Sequence, residues 1–108
     1  MDDIFKDAQV ISTYTLQQAI DDGVLVEVFK NRWPELSSGK PIVATSHLFN
    51  EVSLAALLEI WNEFVDWNRN IKPTLPESEQ MFVTEIDGKK IWLIEDGAAY
   101  TILFPEDY

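Results

Sequence analysis

Residues 53–70, SLAALLEIWNEFVDWNRN, form the longest stretch of the chain with a clear hydrophobic period. The apolar residues recur at intervals of three and four, which predicts an amphipathic helix. Its predicted buried face consists of Leu54, Leu57, Leu58, Trp61, Phe64, Val65 and Asn68, with Ile60 and Trp67 on the flanks. Ser53 is the predicted N-cap, since its hydroxyl can accept a hydrogen bond from the first turn. Pro73 and Pro76 prevent any continuation of the helix.

Three carboxylates of the same helix, Glu59, Glu63 and Asp66, are spaced by four and three residues and therefore share one line. Like charges at this spacing cost about 0.2–0.5 kcal/mol a pair. Burial of one large apolar side chain contributes about 1.5–3 kcal/mol, so the helix tolerates the line. The line is either a solvated face or part of a partner-binding surface.

The composition predicts one globular domain over residues 1–108. A chain with 46% hydrophobic and 12% aromatic residues can bury a real core. We expect a cytoplasmic protein, because no apolar run is long enough to span a membrane and the acidic start, MDDIFKD, does not resemble a signal peptide. The absence of cysteine excludes disulfides and thiolate chemistry.

The charge balance is unusual, because nineteen acidic residues stand against eight basic ones and give a formal net charge of −11. Such a surface repels nucleic acid and anionic membranes, which are bound through cations. It attracts basic partners and raises the rate of association with them. The predicted partner is therefore a protein with a basic surface, although acidity can also serve solubility alone.

The N-terminal part is predicted to contain a short helix followed by a strand. Thr15 can cap the helix, with Gln18 at the capping-box position, and Gly23 ends it in a left-handed conformation. Residues 24–28, VLVEV, are rich in β-branched residues and predict the strand, with a continuation of the helix as the alternative. Residues 1–14 are expected to be a loose terminus and an extended lead-in.

The middle of the chain leaves two alternatives open. Residues 41–45, PIVAT, predict a short strand or the extended approach to a helix. A helical turn capped by Thr45 or Ser46 follows, so residues 46–70 form either a helix pair or one bent helix. Trp33, in the segment KNRWPEL, is the best candidate for an exposed aromatic contact.

The C-terminal part predicts a three-stranded antiparallel meander over residues 81–86, 89–95 and 99–104. Asp87-Gly88 and Asp96-Gly97 are expected to be two-residue turns of the same kind, since both positions of such turns favour positive φ. The predicted fold is therefore α+β: the meander packs on the long amphipathic helix, beside a short N-terminal helix–strand unit.

Both faces of the predicted strand at residues 89–95 are apolar, so both are expected to be covered. The long helix can cover one of them. The N-terminal half or a second subunit can cover the other, which leaves a homodimer open.

No catalytic or metal-binding motif is present. His47 is the only histidine, and its proximity in sequence to Ser46 and Ser53 does not make a Ser-His-Asp triad. One histidine without cysteine cannot supply a zinc site, and neither a calcium loop nor a glycine-rich phosphate loop occurs. We expect no cofactor, no metal and no enzymatic activity, with His47 as a capping or surface residue.

Residues 14–26 carry the pattern Y-T-x-x-Q-A-x-x-D-G-V-L-V. This pattern resembles the start of a family of small uncharacterised proteins encoded on plasmids, prophages and other mobile elements. The PIVAT segment is similar to the P-V-x-V-T of that family, and the end of the chain, an apolar strand followed by Pro105-Glu106-Asp107, fits as well. The family is a domain of unknown function, so the resemblance implies a mobile-element context and assigns no functional residues.

The function predicted from charge and resemblance is that of a non-enzymatic acidic interaction protein of a mobile element. In its sharpest form it inhibits a host restriction or CRISPR nuclease complex by mimicking nucleic acid. The candidate contacts are Glu59, Glu63, Asp66, Asp21, Asp22, Glu95, Asp96 and Trp33. The alternatives are a dimeric structural or regulatory accessory protein and a small ligand-binding domain or enzyme.

Overall fold

The computed structural model describes residues 16–108. Helix α1 occupies residues 16–21 of this range, and Gly23 follows it with a φ of +79°, a conformation that glycine adopts without steric cost. Strand β1 is Leu25–Glu27. The predicted helix–strand unit is therefore confirmed, whereas the expected Thr15 cap and the lead-in over residues 1–14 lie outside the described residues.

Two short helices and one long helix lie in the middle of the chain, around the strand β2. Helix α2 spans Trp33–Leu36, and strand β2 spans Ile42–Thr45. Helix α3 spans Ser46–Glu51, and helix α4 spans Leu54–Asn70. The Thr45 hydroxyl accepts a hydrogen bond from the Leu48 amide at 3.2 Å and caps α3. The Ser53 hydroxyl accepts one from the Ala56 amide at 3.1 Å and caps α4. Since the backbone is extended at Val52 and Ser53, α3 and α4 are a helix pair.

The C-terminal meander is confirmed, with β3 at Phe82–Ile86, β4 at Lys89–Glu95 and β5 at Tyr100–Leu103. Its first turn is the predicted one, with a φ of 52° at Asp87 and 80° at Gly88. The prediction for Asp96-Gly97 is wrong, because Gly97 does not have a positive φ. Four residues connect β4 and β5 there, and the Asp96 carboxylate closes the turn by accepting the amides of Ala98 and Ala99.

All five strands belong to one mixed sheet of order β1-β2-β5-β4-β3. β1 pairs with β2 in antiparallel fashion, and β2 pairs with β5 in parallel. The prediction contained the meander and the N-terminal strand but not this parallel pair, which joins strands far apart in the chain and leaves no local turn signal. Within residues 16–108, β1 and β3 are the two edges of the sheet.

Helix α4 packs on one face of the sheet, and its buried residues are Leu57, Ile60, Trp61 and Phe64. The predicted face is displaced: Leu54 is 58% exposed, Asn68 is exposed, and Ile60 is fully buried rather than on a flank. The sheet can cover only a limited arc of the helix surface. Because the covered arc is centred nearer to Ile60 than predicted, Leu54 remains in solvent. The helix holds the meander as predicted, through a narrower set of side chains.

The second face of the sheet is covered only in part. Val43 and Leu103 are buried there, but Trp92 and Ile94 are half-buried and Val83 is 48% exposed. The expectation that both faces are covered is therefore met at the centre of the sheet and not towards β3. Over residues 16–108, no helix combines the length and the apolar character needed to cross a membrane.

Candidate functional site

The seven carboxylates predicted as partner contacts are all exposed but lie in three separate places. Asp21 and Asp22 lie just before β1 at one edge of the sheet, whereas Glu63 accepts a hydrogen bond from Thr84 of β3 at the other edge. The spacing of neighbouring strands puts these edges about 19 Å apart. Glu95 and Asp96 lie at the connection between β4 and β5. The structure therefore does not join the seven into one surface.

The carboxylates of Glu59, Glu63 and Asp66, here named the α4 acidic row, share one flank of α4 beside β3. The Thr84 hydroxyl donates to Glu63 at 2.8 Å, and the Asn70 side-chain amide donates to Asp66 at 2.8 Å. Among the described residues, no lysine or arginine lies within salt-bridge distance of the row. Its three negative charges are therefore directed to solvent without a neighbouring cation.

The other predicted carboxylates have local structural roles. The side chains of Gln17 and Gln18 donate to Asp21 and Asp22, each at 3.1 Å and one helical turn away. Lys40 forms an ion pair with Glu95 at 3.0 Å, and Asp96 closes its own turn. Each of these carboxylates is used within its own part of the fold. Asp66 of the α4 acidic row accepts a bond of the same kind, so the row differs from these sites in carrying three carboxylates on one helix flank, and it is the largest of the predicted contact regions.

Trp33 is half-buried and packs against the main core, so the prediction of an exposed aromatic contact is wrong. Its indole N–H donates to the carbonyl oxygen of Val28 at 2.7 Å. Buried tryptophan usually satisfies its N–H in this way. Trp33 therefore helps to close the N-terminal half of the fold, and only part of its side chain is open to solvent.

A second group of charged side chains, which we name the His47 cluster, comprises His47, Glu51, Lys89 and Asp107. The His47 Nε2 atom lies 2.7 Å from Glu51, and its Nδ1 atom lies 3.1 Å from Asp107. Lys89 also binds Glu51, and the Thr45 hydroxyl donates to Asp107 at 3.1 Å. The cluster thereby connects α3 to the start of β4 and to the 3-10 turn Pro105–Asp107. The sequence signal for its first pair is the four-residue spacing of His47 and Glu51 on a helix.

The cluster shifts the pKa values of its members in the directions that favour charge. The hydrogen bond to Asp107, followed by the charges of Asp107 and Glu51, holds the pKa of His47 above its ordinary value of 6.5. The hydrogen bond from Lys89 holds the pKa of Glu51 below its ordinary value and raises the pKa of Lys89. These contacts favour the imidazolium form of His47, in which both ring nitrogens donate to carboxylates.

In that form His47 is unsuited to general-base catalysis, because a histidine that donates from both nitrogens has no free lone pair. Among residues 16–108 there is also no group of three or more histidine, aspartate or glutamate side chains placed to hold a metal ion. An open pocket of about 350 Å³ adjoins the cluster, lined also by Lys90, Phe104, Pro105 and Glu106. The described geometry makes the cluster an electrostatic link between elements.

Replacement of His47 by glutamine is expected to give a pH-dependent loss of stability. Because the folded pKa of His47 is raised, its contribution is fully present below the unfolded pKa and is lost as pH rises through the folded pKa. The difference in Tm between wild type and His47→Gln should therefore be larger at about pH 6 than at about pH 8.5. His47 is the only histidine, so no other imidazole contributes. A difference in Tm that is constant over this range would contradict the assignment.

Comparison with known proteins gives no match: no family model, no curated protein and no solved structure is similar to this chain. The resemblance to mobile-element proteins carried by residues 14–26 therefore stays a prediction.

Proposed function

We propose that this protein is a non-enzymatic, cytoplasmic interaction protein that binds the basic surface of a protein partner through the α4 acidic row. The observation that supports this best is the isolation of the row, since three exposed carboxylates on one helix flank have no cation within salt-bridge distance in the described part of the chain. The chain-wide charge of −11 reinforces the attraction for cations.

The helix that carries the row is well suited to present it. Four of its side chains are buried against the sheet, and Ser53 caps its first turn. The hydrogen bonds to Glu63 and Asp66 restrict these two side chains before any partner arrives. A partner therefore meets charges at fixed positions and does not bear the full entropic cost of ordering them.

The sharper form of the proposal is that the partner is a host nuclease complex, and that the row enters a groove that normally binds nucleic acid. Helix geometry spreads the three charges over about 10.5 Å, one charge per about 5 Å. Duplex DNA carries one charge per about 1.7 Å of axis, and a single strand one per about 3.4 Å. The row is therefore closer to a short piece of one strand than to a duplex. The resemblance to mobile-element proteins favours a partner of this kind.

Reversal of charge in the row is expected to abolish partner binding. The test compares the double variant Glu59→Lys, Asp66→Lys with the control Glu77→Lys, Glu79→Lys, which changes the charge by the same four units at an exposed site beyond α4. In pull-downs from host lysate, proteins captured by wild type and by the control should be missing with the row variant. Their capture should also fall steeply with salt and with added DNA or RNA.

Two outcomes of this pull-down would contradict the proposal. One is equal loss of captured proteins in both double variants, which would indicate an effect of overall charge. The other is capture that neither salt nor nucleic acid weakens. Glu63 is left unchanged in both variants because it binds Thr84 and so contributes to the fold.

A dimeric accessory protein is the second candidate, because the second face of the sheet is incompletely covered towards β3. Val83 and Met81 are 48% and 39% exposed there, beside the half-buried Trp92. Light scattering distinguishes the dimeric accessory protein from the monomeric interaction protein, since a particle mass of one 12.4 kDa chain would exclude a dimer.

A further inference from the structure

The outer edge of β3 presents backbone groups that pair with no other described strand, because β3 is an edge of the sheet. The two-residue turn at Asp87-Gly88 makes Ile86 and Lys89 a hydrogen-bonded pair. Hydrogen-bonded pairs alternate along an antiparallel ladder. The N–H and C=O groups of Val83 and Glu85 therefore point away from β4, towards the free edge.

The two faces beside this edge have opposite chemical character. On the helix face, Thr84 holds Glu63, so the α4 acidic row lies next to the edge. On the opposite face, Val83 and Met81 are both exposed apolar side chains, and Val83 pairs with Trp92. Glu85 lies on this same face nearer the turn, opposite Lys90. A strand added to this edge would meet carboxylates with one set of alternate side chains and apolar groups with the other set.

A groove lined mainly by aromatic and apolar side chains lies where β3 begins, and Lys72, Gln80 and Glu95 also contribute to its wall. It has a volume of about 370 Å³ and is formed by the end of α4, the residues that lead into β3, the end of β4 and the C-terminal tyrosine. Aromatic rings supply much of its lining, namely Phe64, Trp67, Phe82, Trp92 and Tyr108. The rings of Trp92 and Tyr108 pack edge to face at 5.7 Å. The groove can take an apolar side chain from a strand that continues past Met81.

We propose that β3 is the binding edge for an extended segment of the protein partner in which basic and apolar residues alternate. The segment adds to the sheet as a sixth strand, places its basic side chains against the α4 acidic row, and places its apolar side chains on Val83, Met81 and the groove. This mode, known as β-strand addition, takes affinity from main-chain hydrogen bonds and specificity from alternate side chains. It rests on the proposed function and specifies how the partner reaches the row.

Charge favours a basic segment over a second copy of this chain. Two β3 edges brought together would place two acidic rows and two Glu85 carboxylates close to each other. Like charges across a strand pair are destabilising, and each chain carries −11 overall. A segment with its basic side chains on the helix face meets the acidic row with the opposite sign.

The test uses a fluorescein-labelled seven-residue peptide of alternating lysine and valine, titrated with the full chain at low salt and followed by fluorescence anisotropy. Val83→Pro removes the outward N–H without removing a bond to β4 and should weaken binding by about tenfold or more. Val83→Ala keeps that N–H and should change binding by less than about threefold. A peptide of alternating glutamate and valine should not bind.

Amide hydrogen exchange provides a readout on the wild-type chain that does not depend on the folding of the proline variant. The lysine–valine peptide should slow exchange at the amides of Val83 and Glu85, and unchanged exchange at both would overturn strand addition. Peptide binding that Val83→Pro leaves intact but Glu59→Lys, Asp66→Lys abolishes would overturn the strand while leaving the acidic row as the binding site. No peptide binding to wild type would overturn the strand, and the pull-down would then decide the proposed function alone. A wild-type dimer that Val83→Pro dissociates would place a second copy at this edge instead.

Discussion

Replacement of Leu57 by alanine is expected to lower the free energy of unfolding by about 2–5 kcal/mol, because it leaves a cavity in the centre of the core. Leu57 is completely buried between α4 and the sheet. The same replacement at Leu54, three residues earlier on the same helix, should change the free energy by less than about 0.5 kcal/mol. Urea denaturation of both variants measures the two values.

This pair of variants compares burial, because both remove the same atoms from positions that differ mainly in exposure. Leu54 is 58% exposed although it belongs to the same apolar pattern in the sequence. Equal losses at the two positions would show that α4 is rotated differently about its axis. Trp61→Ala is expected to behave like Leu57→Ala, since Trp61 is buried in the same core.

Replacement of Phe64 by alanine is expected to cost about 3–5 kcal/mol, at the upper end for a core truncation. Phe64 is the centre of an aromatic cluster, with ring centroids 5.4 Å from Trp61, 5.6 Å from Phe82 and 5.6 Å from Tyr100. Its loss removes apolar burial and also the edge-to-face contacts, which contribute about 0.5–1.5 kcal/mol beyond the buried area. Chemical denaturation measures the cost, and near-ultraviolet circular dichroism reports the packing of Trp61 and Tyr100.

The control for Phe64 is leucine, which keeps most of the apolar burial and removes only the ring. Phe64→Leu should retain a larger part of the stability than Phe64→Ala and still reduce the near-ultraviolet signal. If the alanine variant were as stable as wild type, the aromatic cluster could not be the contact between α4 and the meander.

Local signals in the sequence predicted the elements well, and the pairing between distant elements was outside their reach. Ser53 and Thr45 cap the two helices as predicted, because a hydroxyl group just before a helix commonly accepts a hydrogen bond from an amide of the first turn. Asp87-Gly88 forms the predicted turn, but Asp96-Gly97 does not. There the carboxylate of Asp96 bonds the backbone and closes a longer turn, a competing use that the dipeptide alone does not reveal.

The candidate site likewise combines features that local sequence predicts with features that depend on contacts between distant residues. The spacing of Glu59, Glu63 and Asp66 on one helix is a property of the sequence, and the structure retains it as an exposed row. The position of that row beside β3 depends on the contact of Glu63 with Thr84, which are remote in sequence. The His47 cluster was missed for the same reason, since Asp107 and Lys89 approach His47 and Glu51 only through the fold. Trp33 was misjudged because flanking charges in sequence do not report whether an indole is packed inside.

The parallel pairing of β2 with β5 has a consequence for the order in which the protein folds. The antiparallel hairpin of β3 and β4 can form from neighbouring residues, whereas β2 has no partner on its other side until β5 is in place. Contacts between strands distant in the chain require a large loop to be closed first and therefore form slowly. During synthesis on the ribosome, β1 and β2 must wait for β5 to emerge before they can join the rest of the sheet. Of the five described strands, residues 100–103 are therefore synthesised last, and they join the two halves of the sheet.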